Sequence, residues 1–227
     1  MKANIDSQIL YEDNHLIAVN KQPGQLVQAD KTGDITLPDL IKQSIKERYN
    51  KPGDVYLGVI HRIDRPVSGV CLFARTSKAL ERMNEKFRDR EMKKTYWAIL
   101  KHKPVNESGK LVHWLVKDHD KNQTKGHLRE VPGSKRAELE YELISQNGMY
   151  YLLKVTPLTG RPHQIRVQLS TAIGPIVGDL KYGSTEKTDD ASICLHAREL
   201  SFMHPVTKVP VKLTAKAPQN KFWEMFK

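Results

Sequence analysis

The sequence of 227 residues has no long apolar run and only two cysteines. Its apolar runs are a few residues long, as at 16–19, whereas a membrane-crossing helix needs about 20 apolar residues. The first six residues also lack the apolar stretch of a secretory signal. Cys71 and Cys194 lie in apolar surroundings, which is typical of reduced core thiols rather than of a disulfide. We therefore expect a cytoplasmic protein without a membrane partner.

Several motifs of cofactor and hydrolase chemistry are missing from the sequence. There is no Gly-x-x-x-x-Gly-Lys-Ser/Thr, Gly-x-Gly-x-x-Gly, His-Glu-x-x-His, Cys-x-x-Cys or Gly-x-Ser-x-Gly pattern. Residues 118–122 begin like a calcium loop, but Gln123 replaces its glycine and Arg129 replaces its glutamate. We therefore expect neither a metal nor a cofactor.

Basic residues outnumber acidic ones. The chain has 37 Lys and Arg against 26 Asp and Glu, a formal net charge of +11, and a sequence pI near 9.5. Such an excess favours a polyanion as partner. Taken alone, it would equally suit an anionic membrane surface or simple solubility.

Much of this charge lies between residues 101 and 136, called the basic segment below. Nine basic and four acidic residues give this segment a net charge of +5. Its glycines, its prolines and its weak periodicity predict a loop-rich excursion with a basic face. One interpretation is an ordinary solvated insertion. The other is a surface that binds phosphates, with Lys121 and Lys125 among its contacts, whose affinity falls with salt.

Strand and helix patterns alternate along the rest of the chain. Apolar runs on either side of residues 12–15 predict an N-terminal hairpin. Thr36 with Asp39 forms a capping-box pattern before one helix, and Ser77 is the expected cap of a second. A second hairpin is expected around 147–148, followed by a helix over 164–171. The sequence thus predicts a single domain of the α/β (α+β) class, with a mixed, largely antiparallel sheet and flanking helices.

An aspartate lies between two arginines in residues 61–69, His-Arg-Ile-Asp-Arg-Pro-Val-Ser-Gly. Arg62 and Arg65 favour the ionised carboxylate of Asp64, since nearby positive charge opposes the effect of burial. A charged, partly desolvated aspartate is a competent nucleophile or base. The same residues would also fit an aspartate that only bridges two arginines at a turn.

A second cluster occupies residues 159–168, Thr-Gly-Arg-Pro-His-Gln-Ile-Arg-Val-Gln. It places Arg161 and Arg166 near the start of a predicted helix. Backbone amides and guanidinium groups meet anions at such positions. This pattern indicates a phosphate or carboxylate partner.

Residues 61–69 resemble the catalytic motif of the RluA-type pseudouridine synthases, H-R-L-D-x-x-T/S-S-G. Ile63 replaces the common leucine of this motif. In the N-terminal family motif N-K-P-x-G, Gln22 is inserted between the lysine and the proline. The resemblance extends from about residue 9 to residue 217. Five other family motifs occur in the family's order, one before residues 61–69 and four after them: Asn20-Lys21-Gln22-Pro23-Gly24, Lys94-Thr95-Tyr96-Trp97-Ala98, Thr159-Gly160-Arg161-Pro162-His163-Gln164-Ile165-Arg166, Gly178-Asp179 with Tyr182-Gly183, and Leu195-His196-Ala197 through Phe202-Met203-His204-Pro205.

This resemblance implies isomerisation of uridine to pseudouridine within RNA, without a cofactor. Asp64 is then the essential carboxylate, which attacks C6 of the base or C1′ of the ribose, or deprotonates C2′. Arg166 resembles the partner that keeps this aspartate charged. Tyr96 resembles the residue stacked on the target uracil, and its phenol would help to remove the proton from C5.

Uridine in folded RNA must leave its stack to reach such a site. Arg62 would fill the gap by stacking between bases, and Leu195 would form an apolar wall of the pocket. His61 is more simply read as an anchor of the loop.

Many relatives carry an S4-like RNA-binding module before the catalytic domain, whereas here the resemblance begins by residue 9. We therefore expect RNA capture to rest on the catalytic domain and the basic segment. We also expect a monomer and favour transfer RNA over ribosomal RNA as substrate. Two alternatives stay open: a non-catalytic RNA-binding protein and a metal-dependent nuclease.

Overall fold

A computed structural model describes residues 5–118 and 123–227. Its contacts divide the chain into two compact units. The first is formed within Met1–Lys93 and Ala197–Ala217, and the second within Lys94–His196 and Pro218–Lys227.

The described residues form eleven strands and four α-helices. In chain order they are β1 (Ile9–Glu12), β2 (Leu16–Lys21), α1 (Leu37–Arg48), β3 (Gly58–Val59), β4 (Ser68–Ala74), α2 (Ser77–Arg88), β5 (Lys93–Leu100), β6 (Ser108–Asp118), β7 (Gln123–His127), β8 (Lys135–Asn147), β9 (Tyr150–Pro157), α3 (Gln164–Ala172), β10 (Leu195–Met203), β11 (Pro210–Thr214) and α4 (Lys221–Glu224). The expected fold class, helices with a largely antiparallel sheet, is confirmed.

The sheet of the first unit has the order β1-β2-β4-β10, with β3 also paired to β4 and β11 to β10. All seven residues of β4 are buried. Alternation along β2 and β4 divides their side chains between two faces. One face packs with α1 through residues such as Val19 and Phe73, and the other packs with α2 through residues such as Leu72.

Local capping sets the beginnings of both helices. The hydroxyl of Thr36 accepts from the backbone of Asp39, and the Asp39 carboxylate accepts from the Thr36 backbone, so the capping box is confirmed. The cap of α2 is Thr76, whose hydroxyl accepts from Ala79. The expectation of Ser77 was therefore wrong by one residue, because Thr76 already has the extended backbone of a cap.

The described residues of the second unit form five strands in the order β5-β9-β8-β6-β7, each antiparallel to its neighbours. The helix α3 packs on one face of β6, β7 and β8, where Leu115, Ala137, Val167 and Tyr182 form a buried cluster. The hairpin around 147–148 is confirmed by the pairing of Asn147 with Tyr150.

The basic segment contains more strand than its sequence predicted. Half of its described residues belong to β6 and β7, which pair with each other, and β8 begins at Lys135. The reason is the apolar run of residues 111–116 in the middle of β6, interrupted only by His113. Over this run both faces of the strand are at least half-buried. The alternation of polar and apolar residues that marks a half-exposed strand is therefore missing. Lys121 lies outside the described residues.

Candidate active site

The loop that carries Asp64 connects β3 to β4 in the first unit. Asp64 is partly buried, and its carbonyl accepts a hydrogen bond from the Val67 amide at 3.0 Å. His61 accepts a bond from the Leu72 amide through Nε2 at 3.1 Å and stacks on Phe87. The imidazole therefore anchors the loop to β4, which is the role that the sequence analysis favoured for His61.

Both arginines of the Asp64 loop have side-chain partners between residues 24 and 34. Arg65 pairs with Asp34 at 2.6 Å, and its Nε donates to the Gly24 carbonyl at 3.1 Å. Arg62 is exposed and donates to Gln28. The loop thus presents an exposed Arg62, while Arg65 connects the loop to residues 24–34.

Sequence reasoning assigned no site role to Lys21, although it quoted this lysine within a family motif. Lys21 lies at the end of β2 and is completely buried. Its ammonium group donates to the carbonyls of Val67, Arg65 and Gln22 at 2.6, 3.0 and 3.1 Å. Burial lowers the pKa of Lys21 to about 8, against an opposing effect of the nearby Asp64 carboxylate. A buried cation therefore fixes the backbone on the C-terminal side of Asp64.

The lowered pKa of Lys21 predicts a pH-dependent stability. In the unfolded chain Lys21 keeps its proton up to about pH 10.5, whereas the folded protein releases it above about pH 8. The unfolded state therefore binds more protons in this window, and the folded state gains stability as pH rises. Between pH 8 and 10 we expect the unfolding free energy of the wild type to rise relative to that of Lys21→Met in urea titrations.

The exposed Lys51 provides the matched control for that measurement. The variant Lys51→Met removes the same type of charge from a surface loop and should follow the wild type at every pH. If the difference between wild type and Lys21→Met stayed constant from pH 7 to 10, Lys21 would not titrate in this window.

Gly69 is the second residue of β4 and follows directly after the Asp64 loop. Its φ is +116°, a conformation that side chains rarely adopt. A Cβ at this position would lie 2.3 Å from the Ala197 carbonyl oxygen and 2.6 Å from the Ala197 nitrogen. Only glycine therefore permits this approach of β4 to β10.

In the second unit, the turn before α3 is fixed by buried hydrogen bonds. The Gln164 amide group donates to the Glu138 carbonyl at 2.8 Å, and its oxygen accepts from the Thr159 hydroxyl at 2.8 Å and the Arg161 amide at 2.9 Å. The Thr159 hydroxyl also accepts from the Glu138 amide at 2.9 Å. The threonine and glutamine of this motif therefore attach the turn to β8.

Arg166 lies in the first turn of α3 and is 6% exposed. Its Nε and one terminal nitrogen bind both carboxylate oxygens of Asp179, at 2.7 and 2.8 Å. Its guanidinium also lies over the ring of Tyr182, 5.0 Å from the centroid. Asp179 is thus a site residue that sequence reasoning did not assign, although its Gly-Asp pair was part of the quoted motifs.

The other expected site residues of this unit are distributed over its strands. Tyr96 lies on β5, opposite Val155, and is partly buried. Leu195 begins β10 and is 3% exposed. Arg161 and Lys125 are exposed, and Arg161 donates to the Arg136 carbonyl. The joint action of Asp64 with Tyr96 and Arg166 stays a prediction.

Within residues 5–118 and 123–227, no group of three or more His, Cys, Asp or Glu side chains is arranged to hold a metal ion. No helix in that part of the chain is both long and apolar enough to cross a bilayer.

Comparison with known proteins connects these residues to one family. Residues 15–171 match the family model described as RNA pseudouridylate synthase. The tRNA pseudouridine synthase C of Haemophilus ducreyi is 33% identical, with 96% of this chain and 93% of that protein covered. The dual-specificity RNA pseudouridine synthase RluA of Haemophilus influenzae is 32% identical, with 92% of each chain covered.

A solved structure gives the same result at the level of the fold. The human RNA pseudouridylate synthase domain containing 4 superimposes with a TM-score of 0.80 at 26% identity, over 97% of this chain and 92% of that one. These findings confirm the resemblance to the RluA-type enzymes. The chain belongs to the RNA pseudouridylate synthase family and is an isomerase that acts on RNA.

Proposed function

We propose that this protein converts uridine to pseudouridine in transfer RNA, with Asp64 as the essential carboxylate. The observation that carries the proposal is the construction of the Asp64 loop. The buried ammonium of Lys21 binds the backbone on one side of Asp64, and the His61 ring binds β4 on the other. Such fixed placement of a reactive carboxylate is what catalysis by positioning requires.

The reaction needs no redox partner and no net hydrolysis. The bond between N1 and C1′ breaks, the uracil turns, and C5 forms a new bond to C1′. The proton of C5 is released and N1 gains a proton, so the atoms balance. Asp64 would attack C6 or C1′, or would deprotonate C2′ to assist departure of the base.

The remaining residues have supporting roles in this proposal. Tyr96 stacks on the uracil, and its phenol assists removal of the C5 proton. Arg166, which Asp179 holds in place, supplies the positive charge that keeps the catalytic carboxylate ionised. We propose that both compact units make up one catalytic domain, since the residues assigned to the reaction come from both.

Two further residues would act on the flipped nucleoside. The exposed Arg62 guanidinium would stack in the gap that the uridine leaves. The apolar side chain of Leu195 would contact the base in its pocket.

The choice of transfer RNA rests on the Haemophilus ducreyi relative, a tRNA pseudouridine synthase with 33% identity over nearly the whole chain. Tritium release from [5-³H]uridine should occur on unmodified transfer RNA and at most weakly on ribosomal RNA, in the presence of a chelator. Pseudouridine mapping then identifies the position. Release from ribosomal RNA alone would overturn the choice of substrate, and RNA binding without any release would favour a non-catalytic RNA-binding protein.

A further inference from the structure

The sheet of the second unit has one face covered by α3 and one face turned away from it. Leu115 pairs with Gly126 on the covered face. A Cβ on Gly126 would lie 3.2 Å from the Thr171 hydroxyl and 3.4 Å from a Val167 methyl group, both on α3. Because side chains alternate along a strand, the residues next to this pair point to the opposite face.

An aromatic residue with basic neighbours occupies that opposite face. Trp114 on β6 lies directly opposite His127 on β7 and Arg136 on β8. Val116 lies opposite Lys125. Lys125 and Arg136 are exposed, and the other three side chains are partly exposed. These five residues, Trp114, Val116, Lys125, His127 and Arg136, are called the Trp114 platform below.

Charge is unevenly distributed along this face. On β8 the residues that follow Arg136 on the same face are Glu138, Glu140 and Glu142. Glu138 is paired with Lys110 at 2.7 Å and with Arg136, whereas Glu142 is paired with Lys154 at 3.0 Å. These three carboxylates lie toward one end of the face. The other end carries Lys125 and Trp114, and alternation along β6 places one carboxylate, Asp118, on the same face beyond Val116. At the Trp114 end the basic residues Lys125 and Arg136 outnumber Asp118, and an excess of cations favours a polyanion.

We propose that the Trp114 platform binds an unpaired segment of the RNA, with one base stacked on the indole and adjacent phosphates near Lys125 and Arg136. This inference rests on the proposed function and adds a surface for single-stranded RNA on the face that α3 does not cover. Aromatic side chains among cations bind single strands, because every base offers a face for stacking. A fully paired helix would use the cations but would offer no free base to Trp114.

The test compares single-stranded and paired RNA by fluorescence anisotropy on the full chain. The probes are a labelled 12-nucleotide oligouridylate and a labelled duplex of equal length. Trp114→Ala should weaken oligouridylate binding about tenfold and duplex binding less than about twofold, with an unchanged salt slope. Trp114→Phe should remain within about threefold of wild type, since a ring is kept.

Two further variants serve as comparisons. Lys125→Glu should weaken both probes and lower the salt slope by about one. Tyr56→Ala removes an aromatic residue that is 47% exposed in the first unit, and should change neither affinity. Equal affinities of wild type and Trp114→Ala for oligouridylate, or equal losses on both probes, would overturn the proposal.

Folding and catalysis are monitored separately. Should Trp114→Ala unfold, crosslinking of a 4-thiouridine oligonucleotide to the wild type decides: crosslinks to β6, β7 or Arg136 support the platform, and crosslinks only elsewhere contradict it. Tritium release measured over a range of transfer RNA concentrations should give Trp114→Ala the wild-type kcat and a raised KM. If wild type released no tritium, the proposed function would fail while the binding comparison could still be read.

Discussion

Replacement of Asp64 by asparagine is expected to reduce pseudouridine formation by about 10⁴-fold or more, to the limit of detection. The amide has nearly the shape of the carboxylate but cannot act as the nucleophile or base. RNA affinity should stay within about twofold of wild type, because the exposed cations that bind phosphate are unchanged. Single-turnover tritium release on unmodified transfer RNA measures the rate, and anisotropy with the same RNA measures the affinity.

The exposed Asp54 provides the matched control for this substitution. Asp54→Asn changes the same charge in the segment that precedes β3 and should retain the wild-type rate. An Asp64→Asn variant with normal turnover would exclude this aspartate as the catalytic carboxylate. Loss of turnover together with loss of RNA binding would instead assign Asp64 to substrate capture or to the shape of its loop.

The largest expected effect on stability follows replacement of Gly69 by alanine. The new Cβ would lie 2.3 Å from the Ala197 carbonyl oxygen, which belongs to the backbone and has no rotamer by which to move away. The φ of +116° adds strain of its own. We expect the unfolding free energy in urea to fall by about 3–5 kcal/mol, in the range reserved for severe backbone or packing disruption.

Gly53→Ala is the control for this loss of stability. A Cβ on Gly53 meets no atom within 4 Å, so the change should leave the unfolding free energy within about 0.5 kcal/mol of wild type. Any Gly69→Ala protein that still folds at low temperature should form pseudouridine slowly, because Gly69 follows directly after the Asp64 loop. A stable and fully active Gly69→Ala would show that β4 and β10 can separate here without cost.

Local sequence patterns were sufficient for many elements. The Thr36 capping box predicted the start of α1, and alternation over 137–143 predicted the body of β8. Patterns failed where both faces of a strand are partly covered. The apolar run of β6 shows neither strict alternation nor a helical period, so the strands within the basic segment were not predicted.

The sequence by itself determined the motifs, their order and hence the family, because these depend on residue type and local spacing. The tertiary structure alone decided which groups hold the residues of these motifs in place. Lys21 binds carbonyls 44 and 46 residues further along the chain, and Arg166 is held by a carboxylate beyond the end of its own helix. Contacts of this kind depend on how strands and helices pack, and packing places together residues whose separation in sequence carries no periodic signal.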